Sequence, residues 1–108
     1  MNDVNCTAKY SLGQIIKHSK FDYRGVIFDV DAQYEGSSEW YDDVAKSRPP
    51  KDRPWYRVMV DNSDVTTYVA ERHLHMADDL SVIQHPLLDI YFDVFIDGRY
   101  SLIHRQTQ

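Results

Sequence analysis

The run Tyr23-Arg-Gly-Val-Ile-Phe-Asp-Val-Asp31 constrains the fold more than any other part of this chain. Strict alternation sets Val26, Phe28 and Val30 on one face and Ile27, Asp29 and Asp31 on the other, a period of two that belongs to a strand and not to a helix. Its β-branched residues suit a pleated, half-buried surface. Gly25 inside the run predicts a bulge or sharp bend, the device by which a small sheet curls toward closure. The stretch Trp55-Tyr-Arg-Val-Met-Val60 repeats the pattern, with Tyr56, Val58 and Val60 on one side. The turn residues Asp61-Asn-Ser-Asp64 then lead into a return strand at 65–69. A first strand is read around Ile15 and Ile16, entered through Gly13, and a fifth at Leu74 and Met76.

Between Ala32 and Pro54 lies a polar connection containing Gly36, Ser37, Ser38 and Pro49-Pro50, across the whole of which regular structure is not expected. Trp40 and Tyr41 within it are expected to fold back onto the barrel or onto a partner, since two large rings are costly to leave in water. Residues 86–98 fit two periods. Leu88, Ile90, Phe92, Val94 and Ile96 alternate, while Leu88, Tyr91, Phe92 and Phe95 form a helical stripe. Pro86 at the start and Gly98 at the end select a helix over 87–97, with Asp89, Asp93 and Asp97 on its solvated face. The expected fold is therefore all-β with a minor helical segment, a small barrel of about five strands. Periodicity alone leaves SH3-like and OB-like barrels both open. A chain of 108 residues is sized for one core.

Cys6 is the only cysteine, so no intrachain disulfide can form and a reducing, cytoplasmic setting is expected. Met1 to Lys9 lacks a signal-peptide pattern, and nowhere do about 18 apolar residues run together, so no membrane association is expected. The net charge of -5 opposes nucleic-acid binding in total, but charge is segregated along the chain. Residues 1–27 carry +2 and residues 46–60 carry +4, whereas 28–45, 61–83 and 84–108 are all acidic. Such segregation produces either one basic face on an acidic protein or a merely solvated surface.

Few residues are arranged for chemistry. Asp29 and Asp31 share a strand face as a carboxylate pair would, but a polar strand face in water gives the same spacing, and no calcium-loop pattern begins at Asp29 or Asp61. His73 and His75, one residue apart, would supply only half of a closed zinc site. No nucleophile elbow or phosphate-binding glycine loop is present, and a Cys6–His dyad would need a loose tail held rigid, so no catalytic residue, metal or cofactor is expected. Arg48, Lys51, Arg53 and Arg57 interleave with Trp55 and Tyr56, as cations and flat side chains do on nucleic-acid surfaces. The plainer account makes these aromatics core residues and the cations solubilising ones.

Read in order, the strings Ser11-Leu-Gly-Gln-Ile-Ile-Lys-His18, Phe21 to Asp31, Arg53-Pro-Trp-Tyr56 and Thr67-Tyr-Val-Ala-Glu71 resemble the successive signatures of the HspQ family, also termed YccV-like or hemimethylated-DNA-binding. His85-Pro86, Tyr91-Phe92 and Gly98-Arg-Tyr100 extend the resemblance, which covers a domain of about residues 9–100 between tails at 1–8 and 101–108. The resemblance implies an SH3-like barrel, a cytoplasmic heat-shock protein and no enzymatic activity. It implies two partners: hemimethylated DNA, and a Lon-type ATP-dependent protease whose degradation of client proteins, the replication initiator among them, the family assists. Self-association, as a trimer, is a further implication. Reading an N6-methyl group on adenine needs a small apolar pocket and phosphate anchors. Tyr23, Trp55 and Tyr56 are the candidates for the pocket, and Lys17, Lys20, Arg24, Arg53 and Arg57 for the anchors. Trp40, Tyr41, Tyr91, Phe92 and Phe95 are the candidate protein contacts.

Overall fold

A computed structural model describes residues 7–103. Five strands, β1 (Ile15–His18), β2 (Arg24–Asp31), β3 (Trp55–Val60), β4 (Thr66–Ala70) and β5 (Leu74–Met76), pair antiparallel in the order β4-β3-β2-β1-β5. A second sheet is the hairpin of β6 (Phe92–Ile96) and β7 (Arg99–Leu102). Two short helices, α1 (Ser38–Val44) and α2 (Leu88–Tyr91), and a 3-10 turn at Glu71–His73 complete the described elements. The all-β expectation with a minor helical part is met. β4 and β5 are the sheet edges, joined through the 3-10 turn, and no ladder links them among the described residues.

The β2–β3 ladder organises the core. Its register steps from Ile27 opposite Val58 to Asp29 opposite Arg57, which leaves Phe28 as the additional residue of a bulge and reverses the phase of the alternation. Ile27 and Val30 consequently share a face with Tyr10, Ile16, Tyr56, Val58, Val69 and Leu74, to which every strand of the large sheet contributes. Val26 and Phe28 face the other way, toward Ile15, Met59, Ile83, Phe92 and Tyr100. Val30 is thus not on the face that unbroken alternation assigns to it. The bulge is at Phe28 and not at Gly25, where pairing with Val60 is regular. Gly25 has a different reason: a Cβ there would lie 2.4 Å from Val58 Cγ1 and 2.5 Å from the Met59 carbonyl oxygen, so only glycine lets β3 approach.

The expected helix over 87–97 is overturned. Only Leu88–Tyr91 is helical, and the chain then extends into β6. The sequence Asp97-Gly98 makes the two-residue turn between paired Ile96 and Arg99, with both residues at positive φ (55° and 77°), as a type I′ hairpin requires. Gly98 is therefore a hairpin residue rather than a helix terminator, and Asp89, Asp93 and Asp97 do not line one helix face. The hairpin is docked by Tyr100, whose N–H donates to the Gly13 carbonyl at 2.9 Å and whose hydroxyl accepts the Ile83 N–H at 2.9 Å.

Within the long connection, Ser37 caps α1 by accepting the Trp40 N–H at 3.0 Å. The connection is fastened by Tyr41, which donates to the Pro49 carbonyl at 2.6 Å, and by Trp55 Nε1, which donates to Pro50 at 3.0 Å. Trp40 and Tyr41 fold back onto Trp55 and Tyr34, as their cost of exposure predicts. Of the two expected tails, 1–6 (with Cys6) and 104–108 lie outside the described residues, and β7 continues through Leu102. No helix among the described residues is long and apolar enough to cross a membrane.

Gly25→Ala is expected to cost about 1–3 kcal/mol by overpacking the β2–β3 contact. Urea unfolding checks this: the midpoint should fall with little change in slope.

Candidate functional site

The turn after β1 is built on a histidine. His18, buried at the strand end, accepts the backbone N–H groups of Lys20 (3.1 Å) and Phe21 (3.0 Å) at Nδ1, which places its own proton on Nε2. Phe21 is thereby held outward, 70% exposed. His73 stacks on His18 with ring centres 5.7 Å apart, and its carbonyl accepts from both the N–H and the hydroxyl of Ser19. Ser47 binds His73 Nε2 at 2.9 Å through its hydroxyl, while Arg72 donates to the Ser47 carbonyl at 2.8 Å. The connection carrying α1 is thus tied to the 3-10 turn and to the turn after β1.

These ties leave a cleft of about 540 Å³ between the 18–23 turn, the α1 connection and the edge strand β4. Phe21, Tyr23, Trp40 and Tyr68 give it aromatic walls, with Val44, Ala45 and Val69 among them. Lys20, Lys46 and Arg57 supply positive charge. The chain has 17 acidic and 12 basic residues, yet no carboxylate among the described residues lines the cleft. The two basic stretches of the sequence converge here, Lys20 from the first and Lys46 and Arg57 from the second. Arg57 lies over the Tyr68 ring at 4.4 Å, with its Nε 3.5 Å from Asp29, whereas Lys20 and Lys46 make no ion pair among the described residues.

The polar groups of the walls are held neutral. Burial, with His73 and Lys20 beside it, keeps His18 below the ordinary imidazole range; burial, with Arg72 and Lys20, does the same to His73. Burial pushes up the phenols of Tyr23 and Tyr68, the latter further raised by its 2.6 Å hydrogen bond to Asp31. Neutral aromatic walls under a cationic rim suit a planar group attached to an anion.

Of the DNA-contact candidates, Lys20, Tyr23, Trp55 and Arg57 meet at this cleft, and Trp40, a candidate protein contact, lines it with them. Trp55 is only 1% exposed and serves as backing for Trp40 and Tyr68. Tyr56 is fully buried: its hydroxyl donates to Glu71 and accepts the N–H groups of Lys9 and Tyr10, so it presents no surface to a partner. Lys17 is paired with Asp22 at 3.0 Å, and Arg53 borders a smaller depression with Lys9 and Arg72. Arg24 is a structural clamp, binding Asp61 at 2.8 Å and the carbonyls of Asp79, Ser81 and Val82, so its guanidinium is already occupied. Tyr41 and Phe92 are buried, Tyr91 packs on Phe28, and Phe95 packs on Tyr100. Arg48 and Lys51 cover the Tyr41 ring. His73 sits in the 3-10 turn while His75 is exposed on β5, so the two do not share a strand face; Asp29 and Asp31 have separate partners, Arg57 and Tyr68. No cluster of three or more metal-ligating side chains occurs among the described residues. Phe21, Lys46, Tyr68 and His18 are not among the candidate site residues read from the sequence, and His73 is there only as half of an incomplete zinc pair; the basic excess of 46–60 is the signal that points toward Lys46.

Fold and cleft together define a small β-rich domain with one cation-rimmed, aromatic-walled cleft among its described residues. A family model described as hemimethylated DNA-binding protein YccV-like matches residues 8–99, and the chain belongs to that family.

Arg24→Ala should lower stability by about 2–3 kcal/mol, since it strands the partly buried Asp61 and frees the 79–82 loop; denaturant unfolding measures the loss. The two depressed histidines set a pH dependence. The unfolded chain takes up protons at about pH 6.5 where the folded one resists them, so stability falls as pH drops through that value and levels off once the folded-state groups protonate. Unfolding midpoints at pH 7.5 and 5.5 should differ accordingly. His18→Asn, which keeps an acceptor for the two turn N–H groups, should flatten the difference.

Proposed function

We propose that this domain is a non-enzymatic, cytoplasmic DNA-binding regulator that recognises hemimethylated DNA through the cleft between the 18–23 turn, α1 and β4. The observation that carries the reading is a cation-rimmed, aromatic-walled cleft that no carboxylate among the described residues lines, on a chain of net charge -5. The family match supplies the class of DNA. Lys20, Lys46 and Arg57 hold phosphates, and Phe21, Tyr23, Trp40 and Tyr68 offer the faces on which a base rests.

Assistance to a Lon-type protease in degrading client proteins, with self-association as a trimer, is the second reading. It is favoured by an exposed apolar group outside the cleft: Ile90, Tyr91, Val94, Ile96 and Leu102, all on or beside the β6–β7 hairpin. Ile96→Asp tests it, lowering protease-driven client turnover while leaving DNA affinity unchanged.

Fluorescence anisotropy with hemimethylated and unmethylated duplexes tests the main reading. The hemimethylated duplex should bind more tightly, and log affinity should fall against log salt with a slope of about -3, one unit for each of three phosphate contacts. Lys20→Ala and Lys46→Ala should each make the slope shallower by about one. Affinity indifferent to both salt and these substitutions would remove the cleft from DNA recognition.

A further inference from the structure

We infer that the cleft takes a single base swung out of the duplex, rather than sensing the methyl group within a groove; the inference rests on the DNA-binding reading above. Groove readout needs a protruding element the width of a helix or a two-stranded ribbon, with cations beside it to meet the phosphates. Apart from the 18–23 turn, whose Lys20 borders the cleft, the elements with that shape carry the wrong charge. α1 bears Glu39, Asp42 and Asp43, all exposed, and the β6–β7 ribbon bears Asp93 and Asp97 against Arg99. The β3–β4 hairpin turn holds Asp61 and Asp64. Lys20 and Lys46, which make no ion pair among the described residues, instead border a concavity, which a base stacked in a duplex cannot enter.

Size and chemistry both fit an extruded nucleotide. At about 540 Å³ the cleft falls among pockets that enclose small molecules, about 300–1,000 Å³. Phe21, 70% exposed at the rim, and Trp40 and Tyr68 inside offer stacking faces, and the neutral His18 and His73 offer hydrogen bonds to a base edge. Val44, Ala45 and Val69 supply apolar contact for an added methyl group. Lys20 and Lys46, one on each wall, are placed for the phosphates on either side of a base drawn from the helix.

The test uses the full chain and a duplex with one N6-methyladenine, next to which a 2-aminopurine reports loss of stacking. Anisotropy on the same samples reports binding. Extrusion predicts a rise of at least threefold in 2-aminopurine fluorescence at saturation and permanganate reactivity at the thymine opposite the methylated base. Phe21→Ala, a surface change that leaves the fold intact, should weaken binding about tenfold by removing a stacking face while the salt slope stays the same. Saturable binding with no fluorescence rise and an unreactive thymine overturns extrusion and leaves the DNA-binding reading standing. Absence of salt-dependent binding overturns the DNA-binding reading itself.

Discussion

The ladder between β2 and β3 has to bury side chains on both of its faces, and the bulge at Phe28 decides which residue goes to which. Ahead of it, Val26 and Ile27 point to opposite cores; after it, the reversed phase returns Val30 to the side of Ile27 and leaves Asp29 exposed beside Arg57. A sheet buried on both sides cannot be a domain by itself, because one face must be covered by chain from outside it. The β6–β7 hairpin and the segment around Ile83 do this, docked through Tyr100. Arg24, at the first position of β2, clamps the loop 79–82 that leads there. The opposite face is closed by the strands themselves and by Tyr10, whose hydroxyl donates to the Leu74 carbonyl at 3.0 Å.

Strands β2 and β3 were legible in the sequence by their own alternation, β4 by the turn residues that lead into it, and β1 and β5 as short apolar stretches at Ile15-Ile16 and at Leu74 and Met76. The phase reversal at Phe28 was not, since a bulge leaves the run of residue types intact and shows only in the partner strand. The C-terminal hairpin failed for a different reason. Its four-residue helix and following strand overlay two periods on one stretch, and Gly98 was weighed as a helix stop when Asp97-Gly98, flanked by alternating apolar residues, is equally the signature of a tight hairpin. The deciding partner, Arg99-Tyr-Ser-Leu102, lies where no strand was expected.

Cleft residues were half legible for a related reason. Lys20, Tyr23 and Arg57 stand in or beside recognisable strands and were singled out for charge or ring. Arg24 and Tyr56 have the same residue types and the opposite fate. Arg24 meets Asp61 and three carbonyls, and the Tyr56 hydroxyl meets Glu71, partners supplied by segments far along the chain. Residue type gives the capacity for a contact; topology decides whether that capacity is spent inside the domain. Lys46 and Phe21 keep theirs because they sit on connections whose backbone groups are satisfied by other residues, Arg72 at the Ser47 carbonyl in one case and His18 at the Phe21 N–H in the other.

The position of the cleft follows from the unpaired edges of the sheet. A sheet that curls until all five strands share one core brings β4 and β5 toward each other, yet the chain passes between them through a 3-10 turn and not through a ladder. An exposed edge is a standing invitation to unwanted strand pairing, and a loop packed across it is one of the usual protections. The α1 connection and the His18 turn flank β4 in that way and are tied to each other through Ser47 and the 3-10 turn, leaving space over Thr66 to Ala70. Pairing β4 directly with β5 would remove both the 3-10 turn that presents His73 and the gap into which Phe21, Trp40 and Tyr68 project. The cleft is therefore a consequence of a sheet whose edges β4 and β5 share no ladder among the described residues; its cations Lys20 and Lys46 come from the two connections that flank β4, and Arg57 comes from β3.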